Sequence, residues 1–141
     1  MRGVAADVAT AEGRAALLAA VGAAFGGQLD ALFNNVGTNI RKPTVEYSAA
    51  DFQSLVSTNL ESAFALSRGV HPLLKAAGGG VIVMNSSVAG GPTSMRSGSI
   101  YAMTKAAMVG WWGWWARRWP GHMRGWLLKS QLKLCPSRLR L

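Results

Sequence analysis

The apolar run Val81–Met84 is the feature that most constrains the fold of this chain. Four apolar residues follow one another here, with three glycines before them and a polar stretch after them. A strand with one face in water would alternate apolar and polar residues, so an uninterrupted apolar run indicates a strand covered on both faces. This run therefore predicts an inner strand of a parallel sheet packed against helices.

The segments on either side of this strand alternate in type. Short apolar segments at 3–8 and 29–33 predict two further strands. Helix signals fall between them: Thr10 is an N-cap for a helix over 11–25, and Ser48 opens a capping-box variant with Asp51 for a long helix over 49–74. We expect that long helix to be disturbed near Asn59 and to end around Pro72, and another helix to start near residue 99.

Alternating strands and helices favour right-handed crossover units. The sequence thus predicts an α/β fold: an incomplete doubly wound, Rossmann-like parallel sheet with helices on both faces, followed by an irregular C-terminal tail. Ligands of such sheets bind beyond the carboxyl ends of the strands. The polar residues after each predicted strand should therefore meet at one edge.

The tail is set apart by composition. Residues 1–108 carry eight Lys/Arg and six Asp/Glu, whereas residues 109–141 carry seven Lys/Arg, no acid and all six Trp. We therefore divide the chain into a partial domain over 1–108 and a divergent Trp-rich basic tail over 109–141. A shifted reading frame or altered splicing would produce so abrupt a change, and a basic peptide suited to a membrane or RNA surface is the alternative. We expect no nucleic-acid partner and no membrane contact.

Tyr101 and Lys105 lie four residues apart on the last predicted helix and should share one face. A lysine ammonium near a phenol favours the phenolate, which can exchange a proton with a carbonyl or alcohol oxygen. Ser86 or Ser87, at the end of the preceding strand, could bind the same oxygen. The alternative is an ordinary amphipathic helix with a packed tyrosine and a solvated lysine.

Five motifs in order make this chain resemble the short-chain dehydrogenase/reductase family. They are Asp-Val at 7–8, N-N-V-G at 34–37, T-N-L at 58–60, S-S-V-A-G at 86–90 and Y-A-M-T-K at 101–105. The longer runs NNVGTNIRKPTVEY, STNLESAF and HPLLKA resemble the tropinone reductase-like members from plants. The resemblance covers about residues 3–108.

The resemblance implies a catalytic set. Tyr101 matches the family's general acid/base, and Lys105 matches the lysine that favours the phenolate and binds the nicotinamide ribose. Ser87 matches the serine that orients the substrate carbonyl, and Asn59 matches the asparagine that holds a water of the proton relay. The reaction implied is hydride transfer between NADP(H) and a ketone or secondary alcohol, with NAD(H) left open and no metal.

Three further residues match positions near the cofactor. Asn35 and Gly37 match the turn that supports the sheet beside the cofactor, and Asp7 matches an acid that contacts adenine. Asn34 and Asn35 could equally be turn residues with local hydrogen bonds, and Asp7 could simply end a strand. The resemblance also implies oligomers with family members, and we expect a cytoplasmic protein.

The chain departs from the family at both ends, so we expect a truncated member. It contains no T-G-x-x-x-G-x-G turn, which cradles the cofactor pyrophosphate in the family, and the motifs stop near Met108. Ser87 also precedes Tyr101 by fourteen residues, one more than is usual in the family. We therefore expect a family oxidoreductase that is inactive as this chain. The alternative is a non-catalytic partner that binds a full-length relative through its dimerisation helices.

Overall fold

Three parallel strands organise the computed structural model, which describes residues 3–92, 95–116 and 123–128. The strands are β1 (Ala31–Asn34), β2 (Gly80–Met84) and β3 (Met123–Leu128), in the order β1-β2-β3. Ala31 pairs with Val81, and the β2–β3 register shifts between Gly80 and Val81. The helices are α1 (Ala11–Ala24), α2 (Ala49–Val56), α3 (Ser62–Ala76) and α4 (Ser99–Ala116).

The hydrophobic core lies between this sheet and the helices. It is formed by buried residues of α3, β2 and α4: Ala63, Val70, Leu74, Ile82, Met84, Met108 and Trp112. The expected class, an incomplete Rossmann-like α/β fold with a parallel sheet, is confirmed. As predicted, β2 is the inner strand of the sheet, because it pairs with β1 on one side and β3 on the other.

The described helices cover one face of the sheet, where the sequence predicts both faces to be covered. Because the strands lie side by side in chain order, β1-β2-β3, right-handed crossovers place α3 and α4 on the same face of the sheet. Helix α1 packs against α3. Ile82 and Met84 on the covered face are fully buried, whereas Phe33 is 54% exposed. Val81 and Val83 are only partly buried.

The predicted first strand over residues 3–8 is not formed. Residues 3–7 have no regular secondary structure, and they do not join the sheet. A strand requires ladder hydrogen bonds to a neighbour, and β1 pairs only with β2 among the described strands. Asp7 instead begins the turn into α1, where its carbonyl oxygen accepts hydrogen bonds from the Thr10 backbone N–H and hydroxyl.

The long predicted helix is present from Ala49 to Ala76 and is disturbed where expected. The Ser48–Asp51 capping box forms at its start, and a π-helical turn over Ser57–Glu61 separates α2 from α3. This turn contains Asn59, which is fully buried. Pro72 does not end the helix, because α3 continues to Ala76. The buried contacts of Val70 and Leu74 on either side of the proline favour that continuation.

The chain after Met108 is more regular than predicted. Helix α4 runs through the Trp-rich segment to Ala116, although two glycines weaken it by about 1 kcal/mol each. Trp112 is 1% exposed in the core, and the Trp111 and Trp115 rings stack with centroids 5.1 Å apart. This packing offsets the low helix propensity. The division at residue 108 stays a prediction.

Residues 123–128, which were predicted to be irregular, form β3 beside β2. The rest of the predicted tail, residues 117–122 and 129–141, lies outside the described residues, and Cys135 lies there too. Within the described ranges, no helix is both long enough and apolar enough to cross a membrane.

Trp112 provides a test of whether the Trp-rich segment belongs to the core. Trp112→Ala should lower the free energy of unfolding by about 3–5 kcal/mol, because it leaves a large cavity beside β2. The matched variant Trp114→Ala, at a residue that is 61% exposed, should change it by less than about 1 kcal/mol. Thermal melts followed by circular dichroism measure both. Equal losses would contradict the placement of α4.

Candidate functional site

The first two turns of α4 place Tyr101 and Lys105 together, as the four-residue spacing predicts. The Lys105 Nζ lies 5.7 Å from the centroid of the Tyr101 ring and donates a hydrogen bond of 2.8 Å to the Asn85 carbonyl oxygen. Lys105 is only 3% exposed, and this burial lowers its pKa below the ordinary lysine value. The alternative of a solvated lysine on an amphipathic helix is therefore wrong.

Asn59 joins the π-helical turn to two other elements. Its Oδ1 accepts from the Thr38 backbone N–H at 2.8 Å, and its Nδ2 donates to the Thr38 carbonyl at 2.9 Å. Nδ2 also lies 3.2 Å from the hydroxyl of Thr104, which stands beside Lys105 on α4. The side chain therefore fixes the loop after β1 against the helix that carries Tyr101 and Lys105.

Gly37 lets the backbone approach this pair closely. A Cβ added at Gly37 would lie 3.2 Å from the Lys105 Nζ and 3.5 Å from the Asn59 Oδ1. A Cβ contact of 3.2 Å is shorter than most Cβ contacts in proteins, so a larger residue at position 37 would displace the Lys105 ammonium. The glycine thus keeps Lys105 against the end of β1.

The two serines after β2 have different surroundings. The Ser86 hydroxyl donates to the Lys105 carbonyl oxygen at 3.1 Å, so it is used in holding α4. The Ser87 Oγ accepts from the Ala89 backbone N–H at 3.2 Å, which leaves its own hydrogen free to donate. Because Ser87 also faces a cavity with Tyr101, the geometry favours Ser87 over Ser86 as the substrate-binding hydroxyl.

This cavity has a volume of about 360 Å³ at the carboxyl ends of β1 and β2. Residues from the loop after β1, the loop after β2 and the start of α4 line it: Gly37, Thr38, Asn39, Arg41, Ser87, Val88, Ala89, Met95, Ser97, Gly98 and Tyr101. The additional residue between Ser87 and Tyr101 does not separate them, because both face this space. Asn59 and Lys105 do not line the cavity and contact its wall from behind.

The residues predicted near the cofactor are not all brought to this place. Asn34 is buried and donates to the Ser67 hydroxyl at 3.0 Å, which is a structural role. Asn35 is exposed, and its Oδ1 accepts from the Asn85 Nδ2 at 2.7 Å across the strand ends. Asp7 is exposed in the turn before α1, where its Oδ1 accepts from the Ala9 N–H, and it does not line the cavity.

Sequence reasoning missed four residues that build the site: Thr38, Arg41, Asn85 and Thr104. Thr104 directly precedes Lys105 on α4, and Asn85 directly follows β2. These positions, beside a candidate residue and at a strand end, were signals that the sequence offered. Among the described residues that line the cavity, Arg41 alone is charged. Within the described residues, no cluster of three metal-ligating side chains occurs.

Lys105 should titrate at lower pH than an ordinary lysine, because it is buried. Burial lowers the folded-state pKa of Lys105, so the unfolded chain binds its proton more tightly. The free energy of unfolding should therefore fall as the pH falls from the ordinary lysine pKa towards the lowered one. The variant Lys105→Met should lose this dependence. Carbon NMR of the Lys105 Cε position measures its pKa, and a titration at the ordinary lysine value would contradict the burial of Lys105.

The family model described as short chain dehydrogenase matches residues 1–122. Two curated relatives come from Arabidopsis thaliana. A tropinone reductase homologue is 54% identical over 102 residues, which are 72% of this chain and 38% of that protein. Senescence-associated protein 13 is 52% identical with the same coverage. The chain thus spans less than half the length of these relatives.

Solved structures show the same fold. L-sorbose reductase from Gluconobacter frateurii, determined with NADPH and L-sorbose, is 34% identical with a TM-score of 0.77 over 82% of this chain and 43% of that one. A metagenomic short-chain oxidoreductase in complex with NADP is 29% identical, with a TM-score of 0.82 over 90% and 57%. The family model over residues 1–122 and the identity to these relatives show that this chain belongs to the short-chain dehydrogenase family.

Proposed function

We propose that this site serves an oxidoreductase that reduces a ketone to a secondary alcohol with NADP(H). The observation that carries the proposal is that Tyr101 and Ser87 face one cavity while the Lys105 ammonium lies behind the tyrosine ring. The membership of the family and the tropinone reductase homologues among the relatives support this reaction class. We also propose a cytoplasmic location, which rests on the sequence alone.

The proton chemistry belongs to the α4 residues and the serine. In the reducing direction the Tyr101 phenol donates its proton to the carbonyl oxygen, and the Ser87 hydroxyl donates a hydrogen bond to the same oxygen. The positive charge of Lys105 stabilises the phenolate that remains. The Asn85 carbonyl holds that ammonium in place at 2.8 Å.

Asn59 contributes mainly by position. Its amide already makes three hydrogen bonds, two to the Thr38 backbone and one to Thr104. The carboxamide oxygen can accept one more, and a relay water is proposed there. The fixed Thr38 backbone in turn keeps the cavity wall next to Tyr101.

The residues present fit one end of an NADP(H) molecule. Because Gly37 lies close to Lys105, the ammonium stands beside the backbone that follows β1. The nicotinamide ribose would be held there. Asn35 lies next to this place, at the end of β1. The cofactor supplies the hydride when bound. The names of the L-sorbose reductase and metagenomic oxidoreductase structures favour NADP(H) over NAD(H). The adenine contact of Asp7 stays a prediction.

The element that would bind the cofactor pyrophosphate is not found in these 141 residues, because they contain no glycine-rich turn of the T-G-x-x-x-G-x-G type. Backbone N–H groups of such a turn and the following helix N-terminus bind phosphate in dinucleotide folds. We therefore propose that the isolated chain holds the cofactor too weakly to turn over.

Calorimetry on the purified 141-residue chain tests this proposal. We expect no NADPH binding at micromolar concentrations and no carbonyl-dependent oxidation of NADPH. Micromolar binding with turnover would contradict the inactivity. In that case Tyr101→Phe should lower the turnover rate by about a hundredfold or more, since it deletes the proton donor and keeps the aromatic ring. A variant with full activity would contradict the role of Tyr101.

A second candidate function is non-catalytic association with a full-length relative. Apolar side chains remain exposed along α2, α3 and α4: Phe52 is 44% exposed, Phe64 41%, Met103 44% and Trp114 61%. Such side chains on neighbouring helices favour a helix–helix interface. This association requires only that the chain is folded, and it needs no cofactor.

Co-expression with a full-length tropinone reductase homologue distinguishes the two functions. The tagged chain should retain the relative through purification, and Phe52→Glu with Met103→Glu should weaken retention by about tenfold or more, because charges on apolar helix faces oppose burial. The matched substitution Val45→Glu, at a residue 94% exposed outside these helices, should have no effect. Retention unaffected by the double variant would contradict this interface.

A further inference from the structure

In the part of the chain that the structure describes, one charged residue, Arg41, lines the cavity beside Tyr101 and Ser87. We propose that Arg41 makes this a site for ketones that bear a carboxylate, and that it disfavours ketones bearing an ammonium group. The proposal rests on the proposed function and names its substrate class. It depends on three features of Arg41: the absence of a protein partner, the fixed backbone and the apolar surroundings.

Arg41 has no carboxylate partner among the described residues. All six acids of the chain lie within the described ranges, and the ion pairs they form are Arg14–Glu61 at 2.7 Å and Lys42–Asp51 at 2.6 Å. No acid lines the cavity. The positive charge of Arg41 is therefore not neutralised by a carboxylate of the described residues and remains available to an anionic ligand.

The backbone of Arg41 is held on both sides. The Tyr47 hydroxyl donates to the Ile40 carbonyl oxygen at 2.5 Å, and the Lys42 ammonium is paired with Asp51. Upstream, Asn59 binds both backbone groups of Thr38. These anchors fix the place where the Arg41 side chain leaves the backbone, so the loop does not have to be ordered when the guanidinium binds a ligand.

The rest of the lining suits an apolar body joined to a carboxylate. Val88, Ala89 and Met95 supply apolar surface, while Ser87 and Tyr101 supply the two hydroxyls for the ketone oxygen. A guanidinium presents paired N–H donors that match a carboxylate. Arg41 is exposed, so a small ligand reaches it from solvent and binding is sensitive to salt.

Three phenyl ketones that differ only in charge test this assignment on the 141-residue chain without cofactor. Benzoylformate is anionic, acetophenone neutral and phenacylammonium cationic, and their dissociation constants are measured by protein-observed NMR titration. We expect benzoylformate to bind roughly tenfold tighter than the other two, a typical effect of one charge-assisted hydrogen-bonded pair. Raising the sodium chloride concentration should reduce this preference.

The preference should disappear in Arg41→Met and persist in part in Arg41→Lys. Arg68→Met is the matched control, because it removes the same charge from an arginine that packs over the Phe64 ring and does not line the cavity. Equal binding of the three ketones by the wild-type chain, or a preference unchanged in Arg41→Met, would overturn the assignment. So would a wild-type chain that binds none of them or shows no cooperative melt.

The experiment measures neither NADPH binding nor turnover, so it can fail independently of the proposed reaction. A wild-type chain without charge preference leaves the Tyr101 chemistry in place. NADPH turnover by the chain would overturn the proposed inactivity without affecting the Arg41 assignment.

Discussion

The site depends most on the hydrogen bonds of the Asn59 side-chain amide. This amide lies fully buried in a π-helical turn and binds the loop after β1 on one side and α4 on the other. Leaving this buried amide without hydrogen-bond partners would lower the stability of the fold by about 1–3 kcal/mol. The three elements that it joins are therefore kept together. The cavity wall and the tyrosine helix therefore keep a common geometry.

Helix α4 carries both the site and part of the core on one stripe. Tyr101, Lys105, Met108 and Trp112 recur at helical spacing, with the first two near the cavity and the last two in the core. The burial of Met108 and Trp112 thus orients the start of the helix. Packing far from the cavity determines where the tyrosine points, which links the stability of the core to the chemistry of the site.

The distribution of charge separates the roles of the cations. Arg14 and Lys42 are neutralised by Glu61 and Asp51, so they hold the backbone. Lys105 is buried against a carbonyl oxygen and Arg41 faces the cavity without a carboxylate. With six acids and fifteen basic residues in the chain, most cations cannot pair with a side-chain carboxylate of the chain.

The sequence by itself determined the order of the described strands and helices, the N-caps of α1 and α2 and the Tyr101–Lys105 pair, because these depend on local spacing and propensity. It also located Asn59 and Ser87 by motif. Only the tertiary structure decided that residues 3–7 stay out of the sheet, that helices cover one face, and that the Trp-rich segment extends α4, since each depends on which neighbours are available to pack or pair. The role of Arg41 also emerged only there, because the pairing of Lys42 with Asp51 selects which of two adjacent cations remains free.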